Sequence, residues 1–308
     1  MFCQRHHVDS KAAQALPISQ VSPFTHSFKA IADSMQIVDP HTHVWVNDPK
    51  FPWPAENDNP PAEDRSAEML LELMSTHGVE RTVLVQVIHY RWDNSYVVDC
   101  IQRYPDKFMG VGRVNPEDPT AADQVSKWTE MGIHGVRLSP AVGEAGDWFA
   151  NASKMDPIFA RAESLGVPIL LLTGPPRLRD LVPLLERHPE LALVIDHMAD
   201  CSPDDEEGRR LLTDLARYPR VTVKISHTWS ISGQVYPWSD THGLVQEVYQ
   251  AFGGRRIMWG TDWPVSLGKA EYGQTLSVVR DEFSRFIGTE DMEWVLGKTA
   301  LTLWSFGQ

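Results

Sequence analysis

The length, composition and charge of the chain exclude several classes of protein. It has 308 residues, and its 28 Lys and Arg against 41 Asp and Glu give a formal net charge of −13. A hydrophobic share of 42% and a charged share of 22% are ordinary for a globular protein, which excludes a disordered or fibrous chain. The acidic balance argues against a nucleic-acid-binding or membrane-binding surface. No apolar stretch approaches the roughly 18 residues of a membrane span.

The first 34 residues and the cysteines indicate the compartment. Residues 1–34 mix charged, histidine and proline residues without an apolar core, so we expect an extension and not a secretory signal. The three cysteines, Cys3, Cys100 and Cys201, form no C-x-x-C pair, which favours a reducing cytoplasm. The sequence therefore predicts a cytoplasmic enzyme that acts on a small molecule. Its oligomeric state stays open, and a homo-oligomer is compatible with the sequence.

From residue 36 onward, short apolar runs rich in Val, Ile and Leu recur along the chain. Runs that are apolar throughout, and do not alternate with polar residues, are typical of strands covered on both faces. The eight predicted strands are Gln36–Asp39, Thr82–Val87, Phe108–Arg113, Gly135–Leu138, Pro168–Leu172, Ala192–Ile195, Val221–Lys224 and Arg256–Trp259.

Segments with a helical period separate these strands. Ser66–His77 and Tyr96–Tyr104 are two of them, and Asp156-Pro157 is predicted as the N-cap and first residue of another helix that ends at Gly166. Strands alternating with helices predict a single-domain (β/α)8 TIM barrel over residues 35–308, with an added C-terminal helix at Asp291–Phe306. An open doubly wound sheet is the alternative, although the chain has no dinucleotide-binding fingerprint to support it.

In such a barrel, the residues that follow the carboxyl ends of the strands face the active-site mouth. His41 and His43 follow the first strand as an H-x-H pair, whose imidazoles point the same way and suit one divalent metal. His197 follows the sixth strand and Asp262 the eighth. Each is weak evidence alone, because Asp and His are common after strands. Together, four such residues predict one catalytic centre.

Further side chains on this side of the barrel are candidates for substrate contact. Arg side chains bind carboxylates with two parallel hydrogen bonds, so cations near strand ends are suited to an anionic substrate, with ion pairs to nearby acids as the alternative. Aromatic side chains beside the expected ligands suit a planar ring or a sugar face, with closure of the barrel top as the alternative. The candidates are Arg137, Arg113, Lys224, His89, His227, Trp45 and Trp263.

Three motifs resemble those of the amidohydrolase superfamily: Asp-x-His-x-His at residues 39–43, Asp-His-Met at 196–198 and Gly-Thr-Asp-Trp-Pro at 260–264. The likeness is closest to its amidohydrolase-related lactonase branch, which includes 2-pyrone-4,6-dicarboxylate lactonase, L-fuconolactonase and 4-sulfomuconolactone hydrolase. The resemblance spans residues 35–305. It implies that the four strand-end residues line the site and that Asp262 is the base that activates water.

The chain departs from the family pattern in a way that bears on the metal. Binuclear members carry Lys or Glu after the fourth strand and His after the fifth, where this chain has Ser139 and Thr173. We therefore expect one divalent ion, zinc or manganese, held by the four strand-end residues, or no metal at all. A metal lowers the pKa of bound water from about 15.7 towards about 7. Without one, Asp262 acts as general base while the histidines, including His197, donate to the carbonyl oxygen.

Together these observations favour hydrolysis of a small, anionic lactone. The alternative is a metal-dependent, non-oxidative decarboxylase of an aromatic or unsaturated carboxylic acid, because relatives with a similar histidine and aspartate set perform that reaction. A catalytically inactive barrel that only binds a ligand is a third possibility, which the presence of all four polar residues disfavours.

Overall fold

The computed structural model describes residues 36–140 and 148–307, and within them the eight predicted strands form one parallel sheet. Each strand pairs with the next one along the chain. The strands are β1 (Val38–Thr42), β2 (Arg81–Val85), β3 (Phe108–Gly112), β4 (Ile133–Leu138), β5 (Ile169–Leu171), β6 (Leu193–Ile195), β7 (Val221–Lys224) and β8 (Ile257–Met258).

The residues that follow β8 close the sheet onto β1. The backbone N–H of Asp262 donates to the carbonyl oxygen of His41 at 2.9 Å, and the N–H of His43 donates to that of Trp263 at 2.7 Å. A parallel bridge between Thr42 and Trp263 accompanies these bonds. The prediction of a (β/α)8 barrel is confirmed, and an open doubly wound sheet is excluded.

Helices connect consecutive strands and surround the barrel. The described helices are α1 (Ala67–His77), α2 (Ser95–Arg103), α3 (Ala121–Glu130), α4 (Ala152–Leu165), α5 (Leu178–Arg187), α6 (Glu206–Asp214), α7 (Thr228–Ile231), α8 (His242–Phe252), α9 (Tyr272–Ser277), α10 (Thr289–Glu293) and α11 (Thr299–Leu303). The π-helical turn Trp294–Lys298 joins α10 to α11. These three elements lie where the sequence predicts the C-terminal helix, at Asp291–Phe306. No helix in the described residues is long and apolar enough to cross a membrane. The predicted extension at residues 1–34 lies outside the described residues.

The start of α4 differs from the prediction of Asp156-Pro157 as its cap. The helix begins at Ala152, and the Asn151 side chain caps it by accepting from the N–H of Ser153 at 3.0 Å. Asn is a preferred N-cap because its side-chain oxygen accepts from an otherwise unpaired N–H. Pro157 therefore lies inside the helix. The predicted end at Gly166 is confirmed, where φ is 66° and glycine adopts the left-handed conformation without a Cβ penalty.

The first strand extends beyond its predicted end at Asp39 and runs to Thr42. His41 therefore belongs to the strand itself, and His43 follows it. The polar residues after Asp39 are typical of a loop. They form a strand because the carboxyl end of β1 lines the polar end of the barrel interior. The register of β1 against β2 shifts between Asp39 and Thr42, which marks this irregular stretch.

Apolar side chains fill the other end of the barrel. They are contributed by most strands and by the C-terminal segment, in which Trp304 is 1% exposed. The indole N–H of Trp304 donates to the carbonyl oxygen of His134, near the start of β4, at 2.8 Å. We call this cluster the barrel floor: Val38, Val83, Val85, Met109, Val111, Leu170, Val194, Met258, Ala300 and Trp304.

Candidate active site

His43 has a defined orientation above β1. Its Nδ1 lies 2.6 Å from the carbonyl oxygen of Val85, and a carbonyl only accepts, so Nδ1 carries a proton and donates. Its Nε2 lies 2.9 Å from Oδ1 of Asp262. In a neutral ring, Nε2 then faces the carboxylate with a lone pair. Two facing acceptors are stabilised by a cation bound between them or by a second proton on the ring.

His41 brings a second nitrogen to the same carboxylate oxygen. Its Nδ1 lies 2.8 Å from Nζ of Lys224, and its Nε2 lies 3.4 Å from Oδ1 of Asp262. This Nε2 is buried and has no hydrogen-bond partner within the described residues. Burial, followed by the charge of Lys224, lowers the pKa of His41 to about 3, so the ring is neutral at pH 7.

Asp262 is the centre of the site. It follows β8 with a left-handed φ of 56° and is 2% exposed. Its Oδ1 faces the two histidines of β1, and its Oδ2 accepts from Nε2 of His227 at 2.6 Å. Burial alone raises the pKa of Asp262, but the charge and hydrogen bond of His227 outweigh burial and hold it well below its usual range. The group is therefore a carboxylate at neutral pH, as a general base must be.

His227, which follows β7, is held between two carboxylates. Its Nδ1 donates to Oδ1 of Asp200 at 2.8 Å, and its Nε2 donates to Asp262. Burial opposes the charge, but Asp262 and Asp200 outweigh it and raise the pKa of His227 to about 9. Because both ring nitrogens face acceptors, this ring is an imidazolium at neutral pH.

His197 stacks on this imidazolium. The two rings lie 3.6 Å apart with an interplanar angle of 7°, and the His41 ring lies 4.5 Å away on another side. Nδ1 of His197 is 2.7 Å from the hydroxyl of Ser226. Burial, followed by the charge of His227, holds the pKa of His197 well below its usual range, so this ring is neutral.

A buried ion cluster supports the histidines from below. Oδ2 of Asp196 accepts from Nε of Arg137 at 3.0 Å, and its Oδ1 lies 3.0 Å from Nζ of Lys224. Burial raises the pKa of Asp196, but Lys224 and its other neighbours hold it well below its usual range. Nζ of Lys224 also lies 6.0 Å from the ring centre of Trp304. Lys224 is thus placed between the site and the barrel floor.

A cavity of about 120 Å³ opens over these residues. Its polar wall contains the ionised Asp262 and the guanidinium of Arg137, and its apolar wall comes from the loops after β2, β5 and β8. The lining residues are His43, Val87, Ile88, Arg137, Leu172, His197, His227, Asp262 and Val265.

Of the predicted substrate contacts, Arg137 and His227 line this cavity as far as the described residues define it. Trp263 lines a separate surface pocket beside α1. The indole N–H of Trp45 donates to the carbonyl oxygen of Glu63 at 2.8 Å, and its ring packs 5.9 Å from that of His89. Lys224 lies below the site, as described above. The guanidinium of Arg113 lies 4.8 Å from the ring centre of Trp92.

Three residues that the motifs do not predict as site residues also contact the site: Asp196, Asp200 and Ser226. Asp196 precedes His197 in the Asp-His-Met motif, so its position beside a predicted ligand was an available signal. Asp200 and Ser226 belong to no motif. They follow β6 and β7, and they reach the site by bonding its histidines, Asp200 to His227 and Ser226 to His197.

Three groups of side chains bring possible metal-ligand atoms within 4.8 Å of one another: His41, His43 and Asp262; His41, Asp196 and His197; and His197, His227 and Asp262. The first group fits an ion best, because it contains the orphaned Nε2 of His41 and the facing acceptors of His43 and Asp262. Nitrogen and carboxylate ligands of this kind suit zinc. In the other two groups, ion pairs already occupy Asp196 and the ring nitrogens of His227.

The chain belongs to the amidohydrolase family, whose model it matches over residues 38–306. This match confirms the resemblance found in the motifs. Over 271 residues the chain is 28% identical to an L-fucono-1,5-lactonase of Burkholderia ambifaria, covering 85% of this chain and 93% of the relative. It is 26% identical to a 4-sulfomuconolactone hydrolase of Hydrogenophaga intermedia, covering 74% of each chain.

A solved structure has the same fold. The crystal structure of an amidohydrolase from Burkholderia multivorans with bound zinc superimposes with a TM-score of 0.75 at 21% identity, covering 88% of this chain and 99% of that one. This likeness establishes the fold independently of the sequence motifs.

Proposed function

We propose that this protein is a hydrolase that opens a small, anionic lactone at the barrel mouth. The observation that carries the proposal is the buried carboxylate of Asp262, held ionised beside a cavity that Arg137 also lines. The relatives named L-fucono-1,5-lactonase and 4-sulfomuconolactone hydrolase support a cyclic ester as substrate. They favour hydrolysis over the alternative of decarboxylation.

In this mechanism Asp262 is the general base. A water molecule attacks the acyl carbon of the lactone while its proton passes to the Asp262 carboxylate. The acyl carbon–oxygen bond of the ring then breaks, and the proton returns to the departing alkoxide, which gives a hydroxy acid. This acid ionises at neutral pH, so each turnover releases one proton to solvent. Positioned proton transfer of this kind contributes about 10²–10⁴-fold to a rate.

Arg137 is suited to hold the negative group of the substrate. Its Nε is bonded to Asp196, and within the described residues its terminal nitrogens make no hydrogen bond. They are therefore available to a substrate carboxylate, which a guanidinium binds through two parallel N–H groups.

We further propose that one divalent ion, zinc by preference, is the cofactor. His41, His43 and Asp262 would hold it, since their possible ligand atoms converge within 4.8 Å of one another and Nε2 of His41 has no other partner in the described residues. Bound there, it would supply Lewis-acid polarisation of the carbonyl and a lower pKa for water. The zinc in the similar Burkholderia multivorans structure supports this choice of ion.

The location that we propose is the cytoplasm. Among the described residues, Cys100 and Cys201 are free and buried, which fits a compartment where thiols stay reduced. Fluorescence microscopy of the tagged chain in its host, with a cytoplasmic marker, tests this location.

The activity is tested with a pH-indicator assay on a panel of carboxylated and neutral lactones, run in parallel with a CO₂ assay on aromatic carboxylic acids. We expect proton release from a carboxylated lactone and no CO₂. Asp262→Asn, which keeps the size of the side chain, should lower kcat by about 10²–10⁴-fold with an unchanged circular dichroism spectrum. Full activity of this variant would disprove the base role. Release of CO₂ by the wild type without acid production would instead establish decarboxylation.

A further inference from the structure

Three neighbouring loops of the barrel mouth each contain a residue in the left-handed backbone region. Asp200 after β6 has a φ of 47°, His227 after β7 has a φ of 64°, and Asp262 after β8 has a φ of 56°. Non-glycine residues rarely adopt this region, and strained backbone of this kind persists only where the surrounding structure enforces it. The coincidence of three such residues at one place calls for a common cause.

The side chains of these three residues form one hydrogen-bonded line. Oδ1 of Asp200 accepts from Nδ1 of His227 at 2.8 Å, and Nε2 of His227 donates to Oδ2 of Asp262 at 2.6 Å. At its inner end the line reaches His43, whose Nε2 lies 2.9 Å from the other carboxylate oxygen. Each member thus fixes the orientation of the next one.

The middle of the line is also held by packing. The His227 ring lies flat on that of His197 at 3.6 Å, and the edge of Trp229 contacts it with ring centres 4.6 Å apart. Packing alone restricts the plane of the ring, but it does not determine which nitrogen points inward. Asp200 determines it, because Asp200 accepts from Nδ1 of His227 and leaves Nε2 directed at Asp262.

The loop after β6 is built to bring Asp200 to this position. His197, Met198, Ala199 and Asp200 are left-handed in succession, with φ of 53°, 52°, 56° and 47°. Left-handed residues normally occur singly, because each brings its Cβ close to the following carbonyl oxygen. This turn places Asp196 in the buried ion cluster at one end and Asp200 against His227 at the other.

An ordinary surface ion pair is the competing explanation, and such pairs contribute little. The Asp200 side chain is 41% exposed, which fits that view, but the His227 side chain is only 13% exposed. The inner nitrogen of the same ring is bonded to the proposed general base, which is 2% exposed. An ordinary surface ion pair does not share its cation with a buried carboxylate, whereas His227 bonds both Asp200 and Asp262.

We propose that Asp200 is a positioning residue that acts through His227 to fix the rotation of the Asp262 carboxylate. With Oδ2 held by His227, Oδ1 faces His41 and His43, and the residue lines the cavity. Asp200 itself contacts neither the cavity nor the three residues that would hold a metal. The kinetic part of this inference rests on the proposed hydrolase function, whereas its structural part does not.

The kinetic test compares two substitutions at one position. Asp200→Ala removes the acceptor and should lower kcat by about 10–100-fold, the usual cost of losing such an outer partner, with KM within about twofold. Asp200→Asn keeps an oxygen that accepts from Nδ1 of His227 and should recover most of kcat. Asp204→Ala, an exposed acid in the same loop, is the matched control and should behave as the wild type.

A second measurement does not depend on turnover. In protein labelled with ¹⁵N-histidine, we expect the ring signals of His43, at the far end of the line, to shift in Asp200→Ala and to return in Asp200→Asn. An unshifted His43 signal overturns the positioning role, as does an unchanged kcat in Asp200→Ala or equal loss in both variants. If the wild type hydrolyses no lactone, the proposed function fails, and the His43 signals still decide whether Asp200 positions the site.

Discussion

The floor and the mouth of this barrel are made by the same eight strands, yet opposite forces hold them together. At the floor, apolar side chains such as Val38, Met258 and Trp304 are at most 1% exposed. At the mouth, side chains buried to the same degree carry charge, and each is paired: Asp196 with Arg137, and Asp262 with His227. From this difference we expect the floor to stabilise the fold and the mouth to carry out the reaction.

Burial of the charged groups at the mouth costs free energy, because these groups lose their hydration. A buried ion pair repays that loss only with good geometry and additional hydrogen bonds, and it is weak evidence for stability. The cluster beneath the site contains one carboxylate, Asp196, between the two cations Arg137 and Lys224. We therefore expect the cluster to serve the site more than the stability of the fold, and variants at each end of the barrel test this expectation.

The largest expected effect is at the floor. Trp304→Ala removes a large buried side chain and its hydrogen bond to His134, and should lower the free energy of unfolding by about 3–5 kcal/mol in a denaturant titration. The kcat of the folded fraction should stay within about twofold of the wild type. The half-buried Trp294, in the same helical segment, is the matched control, and Trp294→Ala should cost clearly less.

A loss of kcat in folded Trp304→Ala protein would contradict a strict division of the two ends. Lys224 is the residue that would connect them, since its Nζ lies 6.0 Å from the Trp304 ring and 2.8 Å from His41. That result would show that the floor also supports the histidines of the site.

The next effect concerns the metal at the mouth. His43→Ala removes one of three converging groups and should weaken zinc binding by more than about 100-fold, or roughly 3 kcal/mol, in isothermal titration calorimetry. Its unfolding free energy should change far less than that of the floor variant. His89→Ala is the control, because His89 is half-buried near the mouth but belongs to none of the ligand groups. Equal zinc affinity in both variants would exclude His43 as a ligand.

The sequence predicted the framework of the fold well because apolar periodicity records burial. All eight strands occur where apolar runs were found, and β7 has the predicted bounds Val221–Lys224. The errors lie where polar residues interrupt the pattern. The extension of β1 to Thr42 consists of polar residues, which do not predict a buried strand. Asp156-Pro157 has the pattern of a helix start, although Asn151 caps the helix.

The candidate site was predictable only in part. His41, His43 and Asp262 meet as the motifs imply, because residues that follow parallel strands converge at one end of a barrel. The line from Asp200 to Asp262 was not predictable. Asp and His adopt the left-handed region more often than most residues, but this preference does not identify which Asp or His does so. The direction of Trp263 was also open, since a residue next to a ligand can point either into the barrel or away from it.

The smallest effect tests whether the charge of the mouth selects the substrate. Arg137→Lys keeps a cation beside Asp196, so the fold should be nearly as stable as the wild type. An ammonium group lacks the planar fork of a guanidinium, and KM for a carboxylated lactone should rise about tenfold, or about 1.4 kcal/mol. KM for a neutral lactone should stay unchanged. An equal rise for both substrates would mean that Arg137 serves the ion cluster and not recognition. A selective rise would show that a protein of net charge −13 binds an anion through one locally positive wall.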